Sequence, residues 1–411
     1  MRKRKNVRAG RRDVRERKGA GTQLEVTIER ILPGGAGLAH AEGRTLLVGL
    51  AAPGDVLRVR VEQVRGKVAF ASIIEVIVPS PLRVEPPCPY FGRCGGCDFQ
   101  QLSYEAQLSA KVEIIKDCLR RIAHIDYTSE IPITPSPQAW HYRARAQWQY
   151  DAPHQRFGYF ERGSHRVCDV AECPVLVSKL EETLEQLREL MKEDALPPGA
   201  EDFQAVAGEE GASLAPPVDA VATTREVSRH ILGHHYRFNA EGFFQINHEL
   251  LGALVAASVS DLKGESAIDL YCGVGLFTLP LAARFKEVTG VEANPAAIAY
   301  ARRNLAEENL TNVRLECARV GEWLDTNAAK HKNVDLLLLD PPRTGAEEGA
   351  INGVLSLAPR RIAYVSCDPA TLARDLKKLL ASGYRLDTVA AFDMFPQTHH
   401  VETVAHLSEC P

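Results

Sequence analysis

From residue 266 onward the sequence alternates short β-prone apolar runs with amphipathic helical stretches, and this rhythm restricts the possible fold more than any other feature. Strands are predicted at 266–272, 287–292, 313–317, 334–340 and 361–367, with two more at 385–394 and 401–408 and helical segments between the earlier ones. Five strands in crossover units make a doubly wound parallel sheet. The last two are joined by only a short connection, which predicts an antiparallel pair. Open α/β sheets bind ligands at their carboxyl edge, so the residues that close each strand are the candidate site residues.

The first strand closes in Asp269-Leu270-Tyr271-Cys272-Gly273-Val274-Gly275, a G-x-G turn between strand and helix. Thr278 stands where a third dinucleotide glycine would sit, which disfavours a pyrophosphate cofactor. Glu292 closes the second strand, 19 residues after Gly273, at the offset expected of an acid gripping ribose hydroxyls. A nucleoside cofactor without a pyrophosphate follows, and S-adenosylmethionine fits. The fourth strand closes in Asp340-Pro341-Pro342-Arg343, an acid with a rigid turn. The fifth closes in Ser366-Cys367-Asp368-Pro369 before a helix with Leu372, Leu376, Leu379 and Leu380 on one face. Asp is a good N-cap and Pro suits the first turn. A thiol facing a helix start has its pKa lowered, which predicts a nucleophile; a buried strand-end cysteine without a role reads equally well from these residues alone.

At 411 residues, 45% of them hydrophobic and 25% charged, the chain has room for two or three domains of a soluble protein. The net charge of −4 hides ten Lys/Arg against Asp13 and Glu16 in residues 1–18. A basic arm at 1–19, expected to be disordered, on an acidic body suggests an anionic polymer as partner, nucleic acid first. No run resembles a signal peptide or a membrane span, so a cytoplasmic protein without a membrane partner is expected. Short strands with Gly/Pro turns over 20–80 predict a small OB-like β-barrel, with Arg58, Arg60, Arg65 and Lys67 on one basic face. Cys88, Cys94 and Cys97 then form C-x5-C-x2-C, a spacing for metal binding rather than disulfides. Cys173, followed by Pro174, is the best fourth ligand and Cys168 the reserve. Four thiolates suit zinc or iron–sulfur, and the single C-x2-C pair favours the latter. Ser103 caps a helix carrying Leu108, Val112, Ile115, Leu119 and Ile122. Arg143–Tyr150 and Arg156–Phe160 read as a hairpin offering basic and aromatic contacts to RNA, 178–192 as an exposed helix and 193–220 as a variable loop. Residues 81–255 are thus expected to form a central α+β domain and 256–411 a Rossmann-like catalytic domain.

These motifs, with G-G-A-G in the barrel, F-F-Q-I-N at 243–247, G-V-E-A-N at 290–294 and H-V-E at 400–402, resemble the class I RNA 5-methyluridine methyltransferases from about residue 20 to the end. The cysteine motif and TRAM-like barrel are similar to the branch acting on 23S rRNA. The resemblance implies a 4Fe–4S cluster on Cys88, Cys94, Cys97 and Cys173. It implies an S-adenosylmethionine site lined by Gln245, Tyr271, Leu276, Glu292 and Asp340, beside the Gly273 and Gly275 turn. Cys367 would add to uracil carbon-6, activating carbon-5 toward the methyl group, and Glu402 would remove the carbon-5 proton; His399 and His400 are the alternative bases. Relatives often have Asn in the loop after the third strand, where Ala318-Arg319 stand, and Asn after the nucleophile, where Asp368 would oppose thiolate formation. The target uracil must be flipped from its stack. The alternatives are a tRNA uracil-5 methyltransferase, an exocyclic-amine methyltransferase using the acid–Pro–Pro turn, and a non-catalytic RNA-binding ribosome assembly factor. No obligate protein partner is evident, and a monomer is expected.

Overall fold

The structure, a computed structural model, describes residues 20–259, 262–331, 333–347 and 349–410; the basic arm expected at 1–19 lies outside them. The chain divides into two compact units. The first takes the described part of Met1–Gly92 with Cys97–Asp117 and Gln397–His399, and the second takes Arg93–Gly96, Cys118–Pro396 and His400–Pro411.

The first unit carries a six-stranded sheet whose longest members are Val56–Arg65 and Val68–Val78. Apolar and polar residues alternate along Val56–Arg65, so Leu57, Val59, Val61 and Val64 are buried while Arg58, Arg60 and Arg65 face out. The basic face is present but partly neutralised: Arg58 pairs with Glu75, and Arg65 lies over the Phe70 ring. The helix Tyr104–Cys118 follows, with the Ser103 hydroxyl accepting from the Ala106 N–H at 3.3 Å as expected of its cap.

The second unit holds two larger sheets. The catalytic-type sheet has eight strands in the order Val313–Cys317, Phe285–Glu292, Gly264–Leu270, Leu336–Leu339, Arg361–Ser366, Glu402–Glu409, Tyr384–Phe392 and Ile133–Thr134. The first five are mutually parallel. Glu402–Glu409 inserts antiparallel between Arg361–Ser366 and Tyr384–Phe392. Leu336–Leu339 is buried throughout, and only Arg361 of Arg361–Ser366 is exposed. Both faces are covered, so these strands read as unbroken apolar runs. The order reverses between Gly264–Leu270 and Leu336–Leu339, the switch point where such sheets leave a crevice. The core beneath includes Tyr236, Phe238, Leu251 and Leu254, so residues before 256 pack with this sheet.

The other sheet is antiparallel, in the order Val167–Asp169, Arg156–Phe160, Arg145–Asp151, Asp202–Ala207 and Ala212–Ala215. It corrects three expectations. The stretch 193–220 contains two paired strands rather than only a loop. Its Ala-, Gly- and Pro-rich composition holds few β-branched residues, but burial of Phe203, Ala205 and Val206 supplies what propensity does not. The helix Ser178–Lys192 buries Leu180, Leu184, Leu187 and Met191 against the sheet instead of standing exposed. The expected RNA-stacking hairpin spends two of its aromatics inside, Trp148 and Phe157 being fully buried, and leaves Phe160 exposed. Arg145 holds the carbonyls of Gly242 and Ala240 at 2.6 and 3.2 Å. Among the described residues no helix is long and apolar enough to cross a membrane.

Candidate active site

The strand Arg361–Ser366 ends at Cys367, where Asp368 starts the helix Pro369–Ala381. The Asp368 carboxylate accepts from the N–H groups of Ala370 and Thr371 at 2.9 and 2.8 Å, a cap of about 1 kcal/mol. The helix is held to the strand by buried Asp375, which accepts from the Tyr364 hydroxyl at 2.8 Å. The same carboxylate accepts from Arg374 at 2.8 Å and from the Ala346 N–H at 3.3 Å. One buried acid thereby ties together the strand that ends at Cys367, the helix after it and the loop after Asp340.

Antiparallel pairing sets Ser366 opposite Thr403. One step further along that register, Cys367 stands beside Glu402. Glu402 is 1% exposed and its Oε1 meets no donor. Burial, and then the Asp340 charge, push its carboxyl well above the usual range, with Arg343 opposing. Burial likewise raises Asp340 to about 7. The Cys367 thiol is pushed up to about 12 by burial first, then by Glu402 and Asp340, with Asp368 adding to the rise and Arg343 opposing it. The expected lowering by the helix start is therefore corrected. The Asp368 cap already occupies the first N–H groups, and the acids around the sulfur outweigh what remains. Arg343 is the cation facing both Cys367 and Glu402, and it lies over the Phe395 ring at 5.8 Å. The sequence presented it in Asp340-Pro341-Pro342-Arg343, but its role depends on where the turn places it.

Along the same edge, Gln245 donates to Asp340 Oδ2 at 3.4 Å. Tyr271 adopts φ +65°, and its hydroxyl accepts from the Glu347 N–H at 3.4 Å. Gly273 (φ +54°) has open space where a Cβ would project. Gly275 (φ +95°) would set a Cβ 2.8 Å from Leu279 Cδ1, so the backbone path there needs glycine. Glu292 accepts from the N–H groups of Gly273 at 3.1 Å and Asn294 at 2.7 Å. The second strand's acid is thus fixed against the glycine turn, in the geometry that suits ribose hydroxyls. Leu276 points into the core, and its carbonyl accepts from Tyr236 at 3.0 Å, so only its backbone faces this turn. Asp269 and Thr278, which the sequence reading did not assign, form a buried pair behind it: the Thr278 hydroxyl donates to Asp269 Oδ2 at 2.5 Å. Asp269 Oδ1 lacks a partner, and burial lifts this carboxyl to about 7.

Of the alternative bases, His399 belongs to the first unit and pairs with Asp98 at 2.5 Å. His400 lies edge-on to Phe395, centroids 5.9 Å apart. The expected cluster ligands are divided, Cys88 and Cys97 in the first unit and Cys94 and Cys173 in the second. Among the described residues no group of three or more His, Cys, Asp or Glu is gathered to hold a metal ion. The Gly96 N–H donates to Cys94 Sγ at 3.4 Å, and the Tyr159 hydroxyl bonds the Cys173 sulfur. Arg93 Nε donates to Cys168 Sγ at 3.3 Å.

Comparison with known proteins agrees with this geometry. Residues 217–410 match the tRNA (Uracil-5-)-methyltransferase family and residues 17–74 the TRAM domain. The 23S rRNA (uracil(1939)-C(5))-methyltransferase RlmD of Pectobacterium atrosepticum is 34% identical, with 93% of each chain covered. An uncharacterised RNA methyltransferase of Thermosynechococcus vestitus is 32% identical over 94% of this chain and 98% of its own. The crystal structure of Pyrococcus abyssi tRNA (uracil-54, C5)-methyltransferase with S-adenosyl-L-homocysteine superposes with TM-score 0.72 at 27% identity, covering 93% of this chain and 100% of that one. With a TRAM domain ahead of a strand-end cysteine, a paired acid and a nucleoside-type edge, the chain belongs to the S-adenosylmethionine-dependent uracil-5 RNA methyltransferases.

Proposed function

We propose that this protein forms 5-methyluridine in 23S rRNA in the cytoplasm, with Cys367 as nucleophile and Glu402 as base. The observation that carries the reading is the place of Cys367 one residue past the Ser366–Thr403 pair of the antiparallel strands, where the charges of Glu402, Asp340 and Arg343 act on it. Relatives named as 23S rRNA enzymes, at 30% to 34% identity, support ribosomal RNA. The superposition on a tRNA enzyme supports tRNA as the second reading.

S-adenosylmethionine, when bound, supplies an electrophilic methyl group and a positive charge. Glu292 and the Gly273 backbone suit its ribose, and Gln245 and Asp340 line the edge toward the reacting atoms. Cys367 gives its proton to solvent and its sulfur bonds uracil carbon-6, moving the ring electrons onto the carbonyl oxygen. Arg343 offsets the negative charge that gathers around the sulfur. Carbon-5 would then take the methyl group, the electron pair of the broken sulfur–carbon bond staying on the donor's sulfur as a neutral thioether. Ionised Glu402 removes the carbon-5 proton, and the electron pair left behind expels Cys367 as thiolate. Burial raises the carboxyls of Glu402 and Asp340, and a cation bound beside them would oppose that rise.

The thiols Cys88, Cys94, Cys97 and Cys173 we assign to a 4Fe–4S cluster. Four soft donors suit iron–sulfur, and the hydrogen bonds onto the sulfurs of Cys94 and Cys173 are of the kind that tune such clusters. Iron and sulfide analysis of anaerobically purified protein should find both, and a loss in Cys94→Ser; their absence from the parent would sink the assignment.

The central test is RNA carrying 5-fluorouridine, whose fluorine cannot leave as a proton does. A denaturation-resistant adduct on Cys367 is expected with a 23S rRNA fragment. Adducts formed with tRNA in preference would move the substrate to the second reading, and no adduct with either would end the proposal.

A further inference from the structure

The turn after Asp340 is held by a side chain to which the reaction above gives no part. Leu336–Leu339 and Arg361–Ser366 are adjacent parallel strands, Leu339 standing opposite Tyr364. The turn that carries Arg343 and the helix that follows Cys367 therefore leave the same sheet edge as neighbours. The Gly345 N–H donates to the Pro342 carbonyl at 2.8 Å, closing a four-residue turn with Arg343 and Thr344 at its centre. Arg374, half-exposed on the helix Pro369–Ala381, bonds that turn directly. Its Nη1 donates to the Thr344 carbonyl at 3.3 Å and its Nη2 to the Ala346 carbonyl at 3.4 Å. Gly345 makes the approach possible: a Cβ there would meet the Arg374 guanidinium and come 2.9 Å from Thr371 Cβ.

The guanidinium is itself fixed. Its Nε and Nη2 donate to the two oxygens of buried Asp375 at 2.8 and 3.0 Å, the paired geometry of a planar fork on a carboxylate. The Tyr364 hydroxyl anchors that carboxylate from the strand at 2.8 Å. A side chain that only neutralised Asp375 would need none of the bonds to Thr344 and Ala346. What the turn presents is Arg343, whose guanidinium lies over the Phe395 ring at 5.8 Å. The charged groups acting on Cys367 are Glu402 from the neighbouring strand, Asp340 and Arg343 from the strand end and turn beside it, and Asp368 from its own helix cap. Arg343 is the cation among these four, and it acts on Glu402 as well. Charge interactions weaken with distance and strengthen with burial, so Arg343 serves the sulfur only while its turn keeps its place.

We propose that Arg374 is a positioning residue: through the carbonyls of Thr344 and Ala346 it holds the turn that sets the Arg343 guanidinium against Cys367 and Glu402. The consequence for turnover rests on the methyltransferase reading, whereas the consequence for the thiol does not. The role needs a fork. Lys in place of Arg374 keeps the charge but is a point donor on a flexible stem, which cannot span the Asp375 carboxylate and two carbonyls at once.

The test is a double-mutant cycle on the full-length protein. Iodoacetamide alkylation is followed by mass spectrometry on the peptide that carries Cys367, from about pH 7 to about pH 10, beside kcat and KM for methylation of a 23S rRNA fragment. Arg343→Gln should slow alkylation at pH 8 roughly threefold to tenfold, and Arg374→Gln roughly twofold to fivefold. For Arg374→Gln, kcat should fall in step while KM for S-adenosylmethionine stays unchanged. In the Arg343→Gln background Arg374→Gln should slow alkylation no further, and Arg374→Lys should behave as Arg374→Gln does. Gly345→Ala, which presses a methyl group into the Arg374 contact, is read in the same cycle, should act in the same direction, and answers for the proposal if Arg374→Gln fails to fold. Equal slowing by Arg374→Gln with and without the Arg343 guanidinium overturns the proposal, because Arg374 would then reach the sulfur by another route. A parent-like profile in folded Arg374→Gln protein, or one restored by Arg374→Lys, overturns it too. Failure of the parent protein to form 5-methyluridine would sink the methyltransferase reading while leaving the alkylation cycle to answer for Arg374.

Discussion

At the scale of single residues the site is a contest between one thiol and its acids. The Asp368 carboxylate serves the helix but burdens the sulfur, adding to the rise that burial, Glu402 and Asp340 impose on Cys367. Asp368→Asn keeps a side-chain cap, since Asn and Asp cap comparably, and removes one charge. Its Cys367 should react with iodoacetamide several-fold faster at pH 8, roughly the effect of half a pKa unit or more, with melting little changed. An unaltered alkylation profile would show that Asp368 does not reach the sulfur. Glu402→Gln removes the proposed base. Multiple turnover should fall by roughly 10²–10⁴, and a covalent RNA adduct should accumulate even without fluorine, because the carbon-5 proton stays in place. Near-normal turnover would move the base elsewhere. The strand-end position of Cys367 was legible in Val365-Ser366-Cys367-Asp368-Pro369, but its high pKa was not, because burial is its first cause and the next two, Glu402 and Asp340, lie 35 and 27 residues away in sequence.

At the scale of elements, the glycine turn after Gly264–Leu270 contains two different requirements. Gly275 combines φ +95° with a blocked Cβ direction, whereas Gly273, at φ +54°, faces open space. Gly275→Ala should cost about 1–3 kcal/mol in urea unfolding. Gly273→Ala should cost less, about 1 kcal/mol, while weakening S-adenosylmethionine binding, because the added methyl enters the space beside Glu292. Equal losses of stability with unchanged cofactor affinity would refute this division. The central strands Leu336–Leu339 and Arg361–Ser366 were legible because a sheet covered on both faces demands continuous apolar runs, and the outer ones, such as Val313–Cys317, because apolar and charged residues alternate along them. The strands Asp202–Ala207 and Ala212–Ala215 were not, since small residues carry little β signal and gain their place only by packing against Trp148 and the helix Ser178–Lys192.

For the whole molecule the buried acids Asp269, Asp340 and Glu402 make stability depend on pH in an unusual direction. Each holds its proton more tightly folded than unfolded. Their contribution is therefore complete below about pH 4 and is lost as pH rises through about 7, where Asp269 and Asp340 ionise in the fold. The urea midpoint should carry a downward component over that window, and Asp269→Asn, which can still accept from Thr278, should flatten it by an amount on the order of a few kcal/mol. A slope unchanged in Asp269→Asn would place the buried proton elsewhere. Saturating S-adenosylmethionine should raise the midpoint, as a ligand of the folded state does.

The sequence by itself determined the elements at the sheet's edge, the glycine turn, and which side chains end the strands, because periodicity, caps and turn residues act over a few neighbours. Only the tertiary structure decided that Glu402–Glu409 inserts beside Arg361–Ser366, bringing an acid to the thiol. It also turned Arg343 toward both and hid Trp148 and Phe157 in a core. Strand order, burial and field are sums over residues distant along the chain, and no local pattern encodes them.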